Sequence, residues 1–370
     1  MVNLVPPLSS KKMHAVHASL RQQVLAGEWQ TGDKLPTETE LAERFECSIS
    51  TISKAVGLLA HEGLVERKPR AGTRVLSATP STSPAATGLE SLAFIYPAEK
   101  HEGIWRAAKG FQDKAHDNDQ RVTMLSTGMD YHREAEFMTR LVEFAVRGAV
   151  VYPNFTTNEA QTVFVNAVSA CKFPVVLTSL NPLGLDCPVV TLDGFHAGYT
   201  TARYLIDRGA RKIGYLSDRA RSFSMRERYL GYRRALEEAG ITPAPEWVSL
   251  NPSMNVDLVE PMREPESMAQ AYLERARGID GVVCSTDFLA MATITAAQRL
   301  GLSVPKKLKV VGMDDYDFAA QGDIPLTTYR IPYQEIGETA FQVLDDATSD
   351  RTTVPGEHLL RGSIVTRSSG

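Results

Sequence analysis

Along the first 76 residues the apolar positions fall at helical spacing and then at strand spacing. Val16, Leu20 and Val24 recur every four residues and predict a helix over 12–26 that stops at Gly27. Leu41 and Phe45 lie four apart in a shorter helix from Thr37 to Phe45, where Thr37 and Glu40 have the spacing of a capping box. A tight turn through Glu46 and Cys47 follows. Ile52, Val56 and Leu59 then line one face of a second helix, Ser48 to His61, closed by Gly63. Leu64 to Arg67 and Thr73 to Leu76 read as two short strands joined by Lys68-Pro69-Arg70-Ala71-Gly72, a link of two cations and two turn residues.

After Leu76 the pattern changes. Residues 77–88, SATPSTSPAATG, have no charge and no periodicity and read as a linker. From Ser91 onward short apolar runs (SLAFIYP, RVTMLST, GAVVYP, PVVLTS, PVVTLD, KIGYLS, WVSLN, GVVCST, KVVGMDD) alternate with helical patterns. The helices fall near 103–118, 131–146, 157–171, 197–208, 226–239, 266–277, 288–300 and 333–347. Such alternation predicts parallel sheets with crossover helices, as one large sheet or two lobes. The proline-bounded segment IPLTTYRIP, 324–332, reads as a connection returning between lobes.

Length and composition narrow the class. A chain of 370 residues suits a small domain plus a larger one or a pair, and 43% hydrophobic with 23% charged residues is ordinary for a soluble globular protein. No apolar run approaches the ~18 residues of a membrane span, and MVNLVPPLSSKKMH has neither the apolar core nor the cleavage site of a signal peptide, so a cytoplasmic location without membrane contact is expected. Cys47, Cys171, Cys187 and Cys284 are scattered, which suggests neither a disulfide framework nor a metal site. The net charge is −4, yet residues 1–76 hold 10 basic against 8 acidic side chains, +2, leaving −6 for the rest. That sign suits a DNA-binding head on an acidic body, because phosphate neutralisation supplies non-specific affinity.

The order helix, turn, helix, basic hairpin has a use on DNA. Ser50, Thr51, Ser53 and Lys54, on or beside the face opposite the apolar stripe, can enter the major groove, while the hairpin reaches phosphates or the adjacent minor groove. A solvated surface helix shows the same polar pattern, so the pattern alone leaves both readings open. The stretches LRQQVLAGEWQTGDKLPTETELAERF, SKAVGLLAHEGLVER and AGTRV, within residues 10–76, resemble the winged helix of the GntR family of bacterial regulators. The resemblance implies DNA contacts from Thr37 and Thr39, from Ser48, Ser50, Thr51, Ser53 and Lys54, and from Arg67, Lys68, Arg70, Gly72 and Thr73 of the wing. Family members usually contact DNA through three arginines. Thr39, Ile49 and Ser53 stand in those places here, and Arg70 replaces a usual glycine, so Lys54 and Arg70 are expected to supply charge.

A second resemblance covers residues 91–370. LDGFHAGYTTARYLIDRGARKIGYL, RERYLGYRRALEEAGI, GVVCSTDFLAMATITAAQRLGLSVPKKLKVVGMDD and PLTTYRIPYQEIGETA are similar to the effector-binding domain of the LacI family, itself similar to periplasmic sugar-binding proteins. It implies two doubly wound lobes joined by three crossovers, expected near 193, 320 and 345, with the ligand between the lobes at the carboxyl ends of the strands. Arg228 matches the family arginine that clamps ligand oxygens, and Asp314 matches its ligand-side aspartate. Asp287 and Asp193 also follow strands, where each is either a ligand acceptor or a helix N-cap. Trp105 lies where the family places an aromatic against the ligand; Tyr96, Thr178 and Ser253 are pocket candidates by position.

The expected molecule is therefore multidomain. A winged helix-turn-helix head (α+β, 1–76) and a linker (77–90) precede an α/β periplasmic-binding-protein-like body of doubly wound parallel sheets (91–370) that binds an effector and dimerises. The expected function is that of a transcriptional repressor, a homodimer on double-stranded operator DNA controlled by a small carbohydrate, with no cofactor and no metal. A cytoplasmic sugar-binding receptor without DNA binding is the alternative. An enzyme is the third class: GxGxxG, Walker, GxSxG and HExxH motifs are missing and the eight histidines are dispersed.

Overall fold

The computed structural model describes residues 16–17, 19–24, 26, 28–30, 32–61, 64–68, 72–75, 91–97, 101–141, 146–153, 157–179, 185–220, 222–252, 260–349 and 356–370. They belong to two compact units, residues 1–88 and 89–370. All of the expected linker, 77–90, like the middle of the wing turn at 69–71, lies outside the described residues.

In the head the apolar stripes meet in one core. Leu20, Val24, Leu41, Ile52, Val56 and Leu59 are buried together with Val65 and Val75 of the hairpin. Helix α1, Glu38–Arg44, opens on the expected capping box: the Thr37 N–H donates to Glu40 Oε2 (2.8 Å) and the Glu40 N–H to Thr37 Oγ1 (3.3 Å). Helix α2 spans Ile49–His61. Strands β1, Val65–Lys68, and β2, Gly72–Val75, pair antiparallel, one residue from the expected bounds. A third segment joins them, with Lys34 bridged to Arg74 and the Leu35 N–H donating to Thr73 O (2.9 Å).

The body contains two six-stranded sheets. The nine apolar runs form β3 (Ser91–Tyr96), β4 (Arg121–Ser126), β5 (Val146–Val151), β6 (Val175–Thr178), β7 (Val189–Leu192), β8 (Ile213–Ser217), β9 (Val248–Leu250), β10 (Gly281–Cys284) and β11 (Lys309–Asp314). Three further strands are β12 (Thr327–Arg330), β13 (Glu357–Leu360) and β14 (Ser363–Val365). The first lobe runs β13-β7-β6-β5-β3-β4, all parallel; the second runs β14-β12-β11-β10-β8-β9, parallel except for β14 against β12. Among the described residues no helix is long and apolar enough to cross a membrane.

The chain passes between lobes at Asp193, at Ile331–Pro332 and at Arg361–Gly362. The second and third passages correct the positions expected near 320 and 345. Residue 320 ends a single 3-10 turn inside the second lobe, and residue 345 lies within a helix packed on the first. The reason is that much of IPLTTYRIP is strand β12, its Thr327, Thr328 and Tyr329 fully buried between β11 and β14. The first and third passages are tied together: the Asp193 N–H donates to Leu360 O and Arg361 Nε to Asp193 Oδ2, both at 2.8 Å.

Each lobe carries one closely packed helix pair. In the first, α3 (Glu102–Asp117) meets the helix Tyr333–Thr348; in the second, the helix Gly194–Asp207 meets Phe223–Glu238. A Cβ at Gly110 would overlap the Gln334 carbonyl, and one at Gly337 that of Ala107; Gly231 stands likewise against Phe195 and Gly198 against Arg228. Gly110 and Gly231 each lie eight residues beyond the start of their helices, at 102 and 223, while Gly337 and Gly198 lie four beyond 333 and 194. Equal offsets show that the two lobes repeat one plan, in which glycine lets helix backbones touch.

Candidate functional site

Between the lobes, where β5, β6 and β7 of one sheet and β8, β10 and β11 of the other present their carboxyl ends, lies a cavity of about 450 Å³. Tyr152, Ser179 and Thr191 line it from the first lobe, and Asp218, Arg219, Thr286, Asp314 and Tyr316 from the second.

Arg228 enters this cavity from the first turns of the helix 223–238, which Ser222 caps by accepting the Met225 N–H (3.4 Å). It is 5% exposed; Nη1 donates to the Ser285 carbonyl, while Nε has no hydrogen-bond partner among the described residues. A buried guanidinium N–H without an acceptor is costly, and a ligand oxygen would relieve that cost. Asp314 faces the same space from the end of β11. Its Oδ1 accepts the Tyr333 hydroxyl (2.9 Å) and its Oδ2 the Asp287 N–H (3.3 Å). Burial raises the Asp314 carboxyl above the usual range, with Arg228 and the Tyr333 bond opposing.

Asp314 and Asp315 both have positive φ, 142° and 59°, a strained reversal at the cavity wall. Asp287 holds it. This fully buried carboxylate accepts the Tyr316 N–H (3.0 Å) and the Thr328 hydroxyl (2.5 Å), and burial followed by the Asp314 charge raises its pKa. Asp315 is fixed by Arg330 (2.7 Å) and Arg367 (2.6 Å).

On the first-lobe side His101 caps helix α3 through Nδ1, which accepts the Ile104 N–H (3.4 Å). Burial, then the Arg219 charge, pulls this imidazole down to about 4, so it is neutral near pH 7. Gly103 leaves room for the Tyr333 ring, whose hydroxyl lies 3.3 Å from that of Tyr316. Burial above all keeps Tyr152, Tyr316 and Tyr333 protonated, as donors. At the rim Arg106 donates to Asp315 O (2.8 Å) and to Asp317 Oδ1 (2.7 Å), and the Asp317 N–H returns to Glu102 Oε1 (3.0 Å). Both lobes are thus bridged at the edge of the cavity, which Glu102 lines and Arg106 does not.

Of the residues expected here, Arg228 and Asp314 line the cavity. Asp287 sits behind Asp314, and Thr286, not Asp287, caps its helix by accepting the Leu289 N–H (3.3 Å). Asp193 caps the helix 194–207, accepting the His196 N–H (2.8 Å), and serves the hinge. Tyr96 and Thr178 are buried within the first lobe; the Thr178 hydroxyl donates to Val151 O (3.4 Å), and its neighbour Ser179 reaches the cavity instead. Trp105 is 45% exposed and does not line the cavity, because the buried stripe of its helix is Ile104, Ala107, Ala108 and Phe111. Ser253 lies outside the described residues. His101, Arg219, Phe288, Tyr316, Phe318 and Tyr333 were not anticipated. Arg219 and Tyr316 each stand two residues past a strand end, a position that could have marked them.

In the head Thr37 is engaged in its capping box, and Ser48 Oγ accepts the Thr51 N–H (3.2 Å) as an N-cap does. Thr39 and Ile49 are exposed, the latter 51%, with Thr51 and Ser53 half-buried on the same helix as Ile49. Gly72 is exposed with φ 85° and Thr73 is half-buried beside it. Side chains of Ser50, Lys54, Arg67 and Lys68, and all of Arg70, lie outside what is described. Among the described residues no group of His, Cys, Asp and Glu could hold a metal ion.

Residues 12–75 match the model for bacterial regulatory proteins of the gntR family, and residues 202–370 that for a periplasmic binding protein-like domain. The arabinose metabolism transcriptional repressor of Geobacillus stearothermophilus is 24% identical over 368 residues, 95% of this chain and 97% of that protein. The HTH-type transcriptional repressor PurR of Yersinia enterocolitica is 35% identical over 181 residues, covering 48% of this chain and 50% of its own. Among solved structures, transcription regulator CcpA of Lactococcus lactis superposes with TM-score 0.65 at 21% identity, over 76% of this chain and 99% of that one. A transcriptional regulator CelR–cellobiose complex gives 0.63 at 20% identity, over 88% and 92%. These likenesses extend the two-lobed fold across the body and the helix-turn-helix across the head.

Proposed function

We propose that the chain, whose head matches the gntR-family model and whose body matches the periplasmic binding protein-like model, is a DNA-binding transcriptional repressor whose operator affinity is set by a small hydroxylated effector held between the lobes. The observation that carries this reading is Arg228, buried at the wall of the cavity with an N–H that has no partner among the described residues. Opposite charges at Arg228 and Asp314, with tyrosine hydroxyls beside them, suit a neutral ligand rich in hydroxyl groups, each able to donate and accept. Neutral His101 adds no charge. The repressor of the relative in arabinose metabolism and the cellobiose bound by CelR favour a carbohydrate for this chain too.

On this reading the body pairs two chains, the heads of the pair read two half-sites, and the ligand leaves chemically unaltered. A change in lobe geometry on binding alters head spacing, and operator affinity shifts by as much as the ligand discriminates the two geometries, typically about 1–3 kcal/mol. The test combines a thermal-melt screen against sugars with operator titration by fluorescence anisotropy. A sugar that stabilises the protein should also shift operator binding, and Arg228→Ala should lose at least about tenfold in sugar affinity while binding operator as before. Equal sugar affinity in variant and parent removes Arg228 from the site.

A further inference from the structure

Leu192, Ile331 and Ile336 carry core packing into the cavity wall, but one aromatic part of that wall stands apart from the cores. Phe288, Tyr316 and Phe318 pack on one another, with ring centroids 4.8 Å apart for Phe288–Phe318 and 5.8 Å for each with Tyr316, at interplanar angles from 40° to 60°. All three line the cavity, and among the described residues they join none of the four apolar clusters that form the head and lobe cores. The rings are tilted, so they bound a recess rather than one flat platform. Aromatic pairs favour such tilted contacts, and a further planar ring entering the recess makes the same kind of contact.

The recess is poor in hydrogen-bonding groups. Phe288 and Phe318 have none, and the one hydroxyl, on Tyr316, is 3.3 Å from that of Tyr333, which is itself bonded to Asp314. A second sugar ring placed here would bury hydroxyls without partners, which a site of this kind rejects. The polar grip formed by Arg228 and Asp314 lines the same cavity. From a grip for hydroxyls and an aromatic recess in one enclosure, we propose that the effector is a glycoside with an aromatic, largely apolar aglycone. The sugar is held by Arg228 and Asp314, and the aglycone is enclosed by Phe288, Tyr316 and Phe318. This deepens the repressor reading and rests on it.

The test is calorimetric titration of the full chain with matched methyl and phenyl glycosides of several pentoses and hexoses, with nucleosides as a separate arm. Phenyl glycosides should bind about tenfold or more tightly than the methyl glycosides of the same sugar. Phe318→Leu, which keeps apolar volume but removes the ring, and Phe288→Leu should each reduce that preference, read as the ratio of phenyl to methyl affinity within the same variant, to about twofold. Melting curves of both variants confirm that they are folded. Equal affinity for methyl and phenyl glycosides, or a preference that survives both substitutions, overturns the aromatic recess and leaves the sugar-controlled repressor standing. Tighter binding of nucleosides than of phenyl glycosides overturns the apolar aglycone in favour of a base. Failure of every glycoside to bind overturns both this inference and the carbohydrate reading beneath it.

Discussion

At the scale of the residue, His101 shows how burial sets a chemical state. Its imidazole is held down to about 4 by burial and by Arg219, against an ordinary 6.5, while Nδ1 serves as the acceptor for a helix cap. Between pH 6.5 and about 4 the unfolded chain takes up a proton that the folded chain refuses. Stability is therefore fully present above the unfolded value and is lost as pH falls through that window. His101→Asn keeps a capping acceptor and removes the titration. Unfolding free energy of the parent should drop by about 2–3 kcal/mol more than that of the variant between pH 6.5 and pH 4.5. Parallel profiles would show that His101 does not carry this dependence. Single residues were unevenly legible. Arg228 and Asp314 could be placed in the cavity because helix starts and strand ends face it. Trp105 could not, since one step along a helix turns a side chain about 100° away from the buried stripe of Ile104 and Ala108. Tyr333 reaches the cavity only because Gly103, distant in sequence, has no side chain.

At the scale of the element, backbone contact through glycine makes a sharp prediction. Gly198 lies against the carbonyl of Arg228, so Gly198→Ala must part the helices 194–207 and 223–238 or displace the turn that carries Arg228. A loss of about 1–3 kcal/mol is expected in denaturant unfolding, together with weaker effector binding. An unchanged midpoint would mean that the helices do not approach so closely. In the wing, Lys68→Ala with Arg70→Ala should flatten the salt dependence of operator binding by nearly one unit of slope per phosphate contact removed. A parental slope would remove both residues from the DNA. Nine strands announced themselves as apolar runs, seven of them because parallel strands buried on both faces need such runs, while the edge strands β4 and β9 are only half-buried. Strand β12 did not: its Thr327 and Thr328 are buried polar residues whose N–H and hydroxyl find partners in Ser369 and Asp287, from elsewhere in the fold. β13 and β14 did not either: they are edge strands, exposed or half-buried along their length, so EHLL and SIV form no apolar run against their surroundings.

At the scale of the whole molecule, the two lobes of the body are bridged at their rim by Arg106, which bonds Asp315 O and Asp317 without lining the cavity. Those charges are partly solvated, at 31% and 82% exposure, so the bridge contributes little energy, about 0–1 kcal/mol. Its effect is on the population of the bridged form. Arg106→Ala should raise the apparent effector dissociation constant by about two- to fivefold with unchanged stoichiometry, by calorimetry. No change would mean that the rim contacts do not favour the ligand-binding geometry.

The interlaced path of the chain also has a consequence for its birth on the ribosome. The first lobe's sheet begins at Ser91, yet its edge strand is Glu357–Leu360 and one of its two packed helices is Tyr333–Thr348. The whole second lobe except β14 is translated before that lobe has all its parts. The head, whose described elements end at Val75, has no such dependence and can fold while the rest is still being made. On the proposed function each nascent chain thus presents a DNA reader before it owns a complete sensor, and control by the effector begins only after β14, which ends at Val365, has emerged.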